Sequence, residues 1–321
     1  MFKDFANVWT PIELARRVKS RPVSLTIAGE RVVLFRGADG KIAALIDRCP
    51  HRGVALSLGK VTQQGALQCP FHGWEFDGQG KCVHVPLSPA AKCELLGATA
   101  LPVRELGGFI WIFTAPVSAA QGASIPEPVA PIAMVDPAFR RYDVVTHWKA
   151  HWTRAMENML DMPHVPFVHR RTIGFALRRR MRRSSELTVT WTPNDDGGRV
   201  ESSLDGQPPE GSLEFHRPNR MTLHIPVPGK RMRINVFCVP VGPSETRMMV
   251  TTSRDFAHWN PLVKLFDRAN RLILLEDRAI VESSDPAEVP SPSQERSVVS
   301  DKPTLQFRKY YSEVLRGSSA T

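Results

Sequence analysis

Cys49-Pro50-His51 and Cys69-Pro70-Phe71-His72 place two cysteine–histidine pairs in one short span, with seventeen residues between them. A thiolate beside an imidazole, twice over, is a donor set for a soft or borderline metal. A zinc ribbon would use both pairs around one tetrahedral ion. A [2Fe–2S] cluster would take both cysteines on one iron and both histidines on the other. The spacing favours the cluster: one residue inside the first pair and two inside the second let each loop reach both irons. Gly73 permits a close backbone approach, so that amides can reach sulfur, and Phe71 and Trp74 are expected to shelter the group. Histidine is neutral where cysteine is anionic, which raises the potential and suits accepting an electron from a reduced ferredoxin or flavin. Cys82-Val83-His84 repeats the first spacing, but no Cys-x-x-His follows it. It reads as ordinary strand after the Gly78-Gln79-Gly80 turn.

A second set lies in "ENMLDMPHVPFVH", which holds Asp161, His164 and His169. Two histidines and a carboxylate suggest a ferrous site with open positions for oxygen. Histidines five apart stand about 140° apart on an ideal helix, so Pro163 and Pro166 must re-aim one of them. Two core histidines at a helix end would have the same local sequence. A third donor is expected on the long C-terminal helix, where Phe266, Ala269, Ile273 and Ile280 form an apolar stripe and Asp277 falls on it. A buried carboxylate needs a partner, and a metal is a good one. Glu276, next door, is expected to be an outer-face charge.

The elements that must hold these residues divide into two groups. The first third is β-rich: "PVSLTIAGERVVLFR" predicts a hairpin turning at Ala28-Gly29, "ADGKIAALID" a further strand and "GGFIWIF" a buried one. A helix is predicted over Pro11–Val18, with Thr10 as its N-cap. Residues 115–137 are rich in Pro, Ala and Ser and read as a linker or strap. The expected boundaries are 1–116, a linker over 117–140, and 141–321. After the linker come a helix in "AHWTRAMENMLDM", five strands between Ser185 and Phe256, and a helix over Pro261–Ser284, an α+β arrangement. Phe215, Met221, Leu223, Ile234, Val236 and Met248 on those strands would either line a pocket or fill the core.

Five cysteines in 321 residues argue against a disulfide framework, and the amino terminus lacks an apolar core like a secretory signal's, so a cytoplasmic protein is expected. The formal charge is +10, from 42 basic and 32 acidic residues. Such an excess could attract nucleic acid, a membrane surface or an acidic protein. No nucleic-acid motif accompanies it, and apolar runs are too short to span a bilayer. The densest basic run, His169 to Ser184, is expected to be a solvated loop.

Taken together, these residues resemble the Rieske non-heme iron oxygenase α-subunits, and the resemblance covers nearly the whole chain. It implies a Rieske β-sandwich domain ligating [2Fe–2S] through Cys49, His51, Cys69 and His72. A helix-grip (START-like) domain would follow, an antiparallel sheet with a long helix. Asn158, Asp161, His164 and His169 match the family's Asn-x-x-Asp-x-x-His-x4-His. By that match His164 and His169 are ligands of a mononuclear Fe(II), Asp161 bridges to the cluster and Asn158 sits near the iron. "EDRAIVE" resembles the third-ligand helix and makes Asp277 that ligand. The resemblance further implies a head-to-tail homotrimer in which one subunit's cluster faces the next subunit's iron. Electrons would come from NAD(P)H through a ferredoxin or flavin reductase. The length and the Asn158–Asp161 gap resemble the short branch that hydroxylates or demethylates small aromatic or heterocyclic molecules. Ring cis-dihydroxylation is the alternative within the family, and a pure electron carrier the alternative outside it. Asp277 weighs against a carrier, which has no use for a second metal site.

Overall fold

The computed structural model describes residues 1–120, 125–209, 211–257, 263–291 and 293–317, with the side chains of 119, 120 and 263–270 lying outside that description. Contacts divide the chain into two units, Met1–Ala130 and Pro131–Thr321. The division falls inside the expected linker.

The first unit has ten strands among the described residues: β1 (Trp9–Leu14), β2 (Val23–Ile27), β3 (Glu30–Arg36), β4 (Ile42–Ile46), β5 (Lys60–Val61), β6 (Leu67–Gln68), β7 (Glu75–Phe76), β8 (Cys82–His84), β9 (Val103–Leu106) and β10 (Phe109–Phe113). They form three antiparallel sheets in the orders β1-β10-β9, β2-β3-β4 and β5-β6-β7-β8. The hairpin turns at Ala28-Gly29 as its sequence predicts, with Ile27 opposite Glu30. The helix predicted over Pro11–Val18 is not there. Trp9–Leu14 is a strand paired with β10, and only Ala15–Arg17 coil, into one 3₁₀ turn. The all-buried Phe109–Phe113 offers a partner strand, and that pairing overrides a local capping signal. Pro11 is accommodated by a bulge between it and Glu13. The strap beyond β10 is pinned within this unit: Arg104 pairs with Glu127 at 2.7 Å, and Trp9 Nε1 donates to the Pro126 carbonyl.

The second unit has seven strands among the described residues: β11 (Arg140–Trp148), β12 (Leu187–Asn194), β13 (Gly197–Leu204), β14 (Ser212–His216), β15 (Arg220–Val227), β16 (Lys230–Gly242) and β17 (Glu245–Arg254). They make one antiparallel sheet in the order β11-β17-β16-β15-β14-β13-β12. Its helices are α1 (Ile132–Val135), α2 (Trp152–Leu160), α3 (Val165–Val168), α4 (Phe175–Arg180), α5 (Val263–Val281) and α6 (Lys302–Tyr310). The sequence reading overlooked β11, β14 and α6. Alternation in "SLEFH" marks β14, since Leu213 and Phe215 are buried while Glu214 and His216 are less so. Phe215 stacks edge-on against Phe307 of α6 at 5.7 Å and near Tyr310 at 6.0 Å, so it fills the core between sheet and helix. Met221, Val236 and Met248 are likewise buried, Leu223 and Ile234 only partly. The basic run is not wholly a loop: α4 lies within it, with Arg178, Arg179 and Arg180 in its last turn. No described helix is long and apolar enough to cross a membrane.

Candidate metal centres

Both cysteine–histidine loops have one construction. Cys49 N donates to Val54 O and Gly53 N to Cys49 O; Cys69 N donates to Trp74 O and Gly73 N to Cys69 O. Each loop thus closes over the same number of residues, and each needs a left-handed residue at the same place, Gly53 at φ 73° and Gly73 at φ 70°. Only the histidine's place differs, third in one loop and fourth in the other. The unequal spacers are therefore two positions on one kind of turn. The cysteines, 3% and 2% exposed, belong to an apolar cluster with Val33, Phe35, Leu45, Leu67, Phe76 and Cys82. Strands β3, β4, β6, β7 and β8 position both sulfurs through that packing.

The histidines are less buried than the two sulfurs. The His51 and His72 rings lie 4.6 Å apart, centre to centre, and His72 is exposed. His51 Nδ1 is buried without a hydrogen-bond partner. Trp74 covers His51 face to face at 4.5 Å and 2°. Phe71 does not shelter the group: it is 60% exposed, although its ring is 4.0 Å from that of His72. Burial first, and then the neighbouring Cys69, push the Cys49 thiol up; burial and then His72 hold His51 down. Neighbouring thiols and an orphaned imidazole nitrogen fit a group that ligates all four side chains.

In the second unit α2 stops at Leu160, and Asp161 is extended at φ −84° and ψ 126°. Pro163 follows two residues later, and the residue before a proline avoids helical geometry. The chain then makes one short helix, α3, with His164 at its N-cap and His169 at its C-cap. The histidines thus bracket a single turn, and their rings lie 5.2 Å apart. Asp277 reaches them from α5: Oδ1 is 3.0 Å from His169 Nε2 and 3.5 Å from His164 Nε2. It hydrogen-bonds neither in line and stays a buried, orphaned oxygen. Donor atoms of His164, His169 and Asp277 all lie within 4.8 Å of one another, as a set of cation ligands must.

The phase of α5 differs from the predicted stripe. Among the described side chains of α5, Leu274, Asp277 and Val281 are buried, Ile273 is partly exposed and Ile280 is 55% exposed. The side chains of Phe266 and Ala269 lie outside the description. Asp277 is common to the predicted and the observed stripes, which is why a stripe one residue out still singles it out. Glu276 is not an outer-face charge: Oε2 lies 2.9 Å from His169 Nδ1 and accepts from Thr172 Oγ1 at 2.8 Å. Burial alone would depress His169, but Asp277 and then Glu276 outweigh it and raise its pKa. The carboxylates that favour a proton on this ring also favour a cation before it. Asp161 Oδ2 meets His164 Nδ1 at 3.1 Å. Asn158, on α2, buries an Nδ2 with no partner.

Comparison with known proteins bears on both units. Residues 8–100 match the Rieske [2Fe-2S] domain, and residues 148–317 match the vanillate O-demethylase oxygenase C-terminal domain. The oxygenase component of dicamba O-demethylase from Stenotrophomonas maltophilia is 37% identical over 164 residues, covering 51% of this chain and 47% of that protein. Chlorophyllide a oxygenase of Chlamydomonas reinhardtii is 31% identical over 282 residues, 82% of this chain and 40% of that one. The chain thus spans about half or less of the length of these curated relatives. In fold it matches dicamba monooxygenase bound to dicamba with a TM-score of 0.81 at 24% identity, over 99% of both chains. A matched cluster-binding domain and a matched oxygenase domain, in this order along one sequence, make the chain a member of the Rieske non-heme iron oxygenase family.

Proposed function

We propose that the chain is an oxygenase component that hydroxylates or oxidatively demethylates a small aromatic or heterocyclic molecule, using dioxygen and electrons from NAD(P)H through a separate reductase or ferredoxin. The observation that carries it is the meeting of His164, His169 and Asp277 from two distant segments around one point. Three protein donors leave positions open for oxygen, as a structural site would not. Cys49, His51, Cys69 and His72 would hold a [2Fe–2S] cluster, and His164, His169 and Asp277 one Fe(II). Bound there, the pair would supply electrons and activate dioxygen beside the substrate.

The chain's own side chains do the rest. Asp277 gives the only negative charge among the three donors, and burial at 4% exposure keeps water from competing for it. Asp161, 28% exposed on its side chain, holds His164 by the rear nitrogen and leaves carboxylate surface free. In a head-to-tail homotrimer that surface would accept a hydrogen bond from His72 of the neighbouring copy, and Asn158, in the last turn of α2, would stand near the iron. Demethylation is favoured because the matched C-terminal domain and the dicamba relative are both described as O-demethylases. Its balance is one methyl ether, one O2, two electrons and two protons giving the phenol, formaldehyde and water.

The test is coupled turnover. Purified chain, a ferredoxin–reductase pair and NADH are screened against methoxylated and unmethoxylated aromatic acids, following oxygen uptake and formaldehyde. Substrate-dependent oxygen uptake with stoichiometric formaldehyde is expected. Reduction of the cluster with no substrate-dependent uptake, in protein holding no iron beyond the cluster, would make it an electron carrier.

A further inference from the structure

Successive residues of α5 grip opposite sides of one imidazole. Asp277 Oδ1 stands 3.0 Å from His169 Nε2, and Glu276 Oε2 stands 2.9 Å from Nδ1 of the same ring. Neighbours on a helix project about 100° apart, so two adjacent carboxylates reach both nitrogens only because His169 lies across the helix face. Thr172 Oγ1 donates to the same Glu276 oxygen at 2.8 Å, and the Thr172 amide donates to the His169 carbonyl. The ring is 2% exposed and Glu276 21%. Glu276 therefore has a fixed position, a fixed partner and a half-shielded charge.

An imidazole offers its lone pair from one nitrogen when the other carries the proton, and an acceptor behind the ring decides which. We propose that Glu276 is the positioning residue of the iron site: it holds His169 as the Nδ1–H tautomer, aims Nε2 at the point shared with Asp277, and strengthens that nitrogen as a donor. Thr172 fixes the carboxylate in turn. This rests on the assignment of His164, His169 and Asp277 as iron ligands, and it adds a residue that does not touch the metal. Asp161 stands behind His164 in the same way but is the more exposed of the two carboxylates. Glu276 is thus the static support, and Asp161 is left free for a partner.

The experiment measures Fe(II) binding rather than turnover. Wild type, Glu276→Ala, Glu276→Gln, Thr172→Val and Asp277→Ala are loaded anaerobically and titrated with a competing chelator. Cluster absorption and circular dichroism report folding. Electron paramagnetic resonance of the nitric oxide adduct reports ligand geometry. Glu276→Ala should bind iron about 10–100-fold more weakly. Glu276→Gln keeps an acceptor oxygen but not the charge, so its affinity should be intermediate and its adduct spectrum shifted. Thr172→Val should shift in the same direction by less. Wild-type affinity and spectrum in Glu276→Ala, or in Glu276→Gln should the alanine variant not fold, overturn the proposal. A different failure marks the underlying assignment: Asp277→Ala would then keep wild-type iron binding, and the role of Glu276 falls with it.

Discussion

Glu295→Gln probes the network that holds α2 in place. Arg154 on α2 donates to Glu295 at 2.7 Å and to Glu157 at 3.1 Å, and Arg308 on α6 bonds to both acids. Both arginine side chains are 9% exposed, and Arg154 also donates to the Pro286 carbonyl. Hydrogen bonds from Arg154, and then from Arg308 against the cost of burial, lower Glu295 from 4.5 to about 2. A depressed carboxylate contributes stability that is complete above its unfolded value and is lost as pH falls from 4.5 towards 2. That difference corresponds to at most about 3 kcal/mol. With the side chain 31% exposed, screening brings it to about 1–2 kcal/mol. Urea unfolding followed by tryptophan fluorescence, with Trp148 and Trp152 buried in this unit, measures it. Glu295→Gln should be less stable by that amount at pH 7, and the gap should shrink to about half near pH 3. Equal stabilities at pH 7, or a gap that ignores pH, would show that the network contributes packing and not charge.

Asp277→Ala, His164→Ala and His169→Ala should each lose the iron outside the cluster while keeping the cluster's visible absorption, checked by metal analysis. Asp161→Asn preserves shape but exchanges an acceptor for a donor face, so turnover should collapse while dithionite still reduces the cluster. Mixed trimers of that variant with a His72 mutant should recover some activity, and a dead mixture after proven subunit exchange would refute transfer between copies. His72→Cys should lower the cluster potential in a spectroelectrochemical titration, because an anion replaces a neutral ligand. If an acidic donor docks on the basic chain, electron delivery should slow as ionic strength brings the Debye length below about 10 Å, and flat stopped-flow rates would remove that role from the charge.

What the sequence makes legible follows from how local each feature is. Cys49 and His51, or Cys69 and His72, belong to single turns, so their spacing carries their geometry. Asp277 stands out because a carboxylate among apolar neighbours needs a reason wherever the helix phase falls. Glu276 is the opposite case: its partner lies 107 residues away, and nothing near it in sequence distinguishes it from a solvated charge. The false helix at Pro11 has the same origin, since Thr10 and Pro11 cap convincingly until Ile112 and Trp111, far along the sequence, claim them as strand partners. Strand β14 and helix α6 cover each other through Phe215 and Phe307, and neither is persuasive alone.

The matched cysteine–histidine turns of the first unit bear on how fast a cluster held there would exchange electrons. The barrier to electron exchange is set by how far the surrounding atoms must shift to suit the new charge. Here the amides of Cys49, Gly53, Cys69 and Gly73 are tied into main-chain bonds, and both sulfurs are packed among side chains with almost no exposure. Trp74 lies flat on His51, which leaves that ring little room to tilt. Were these side chains to hold the cluster, they would have little room to shift when an electron arrived, and the reorganisation energy would fall mainly on solvent at the exposed His72 edge. A cluster held there would take up a charge and hand it on with little rearrangement of the protein around it.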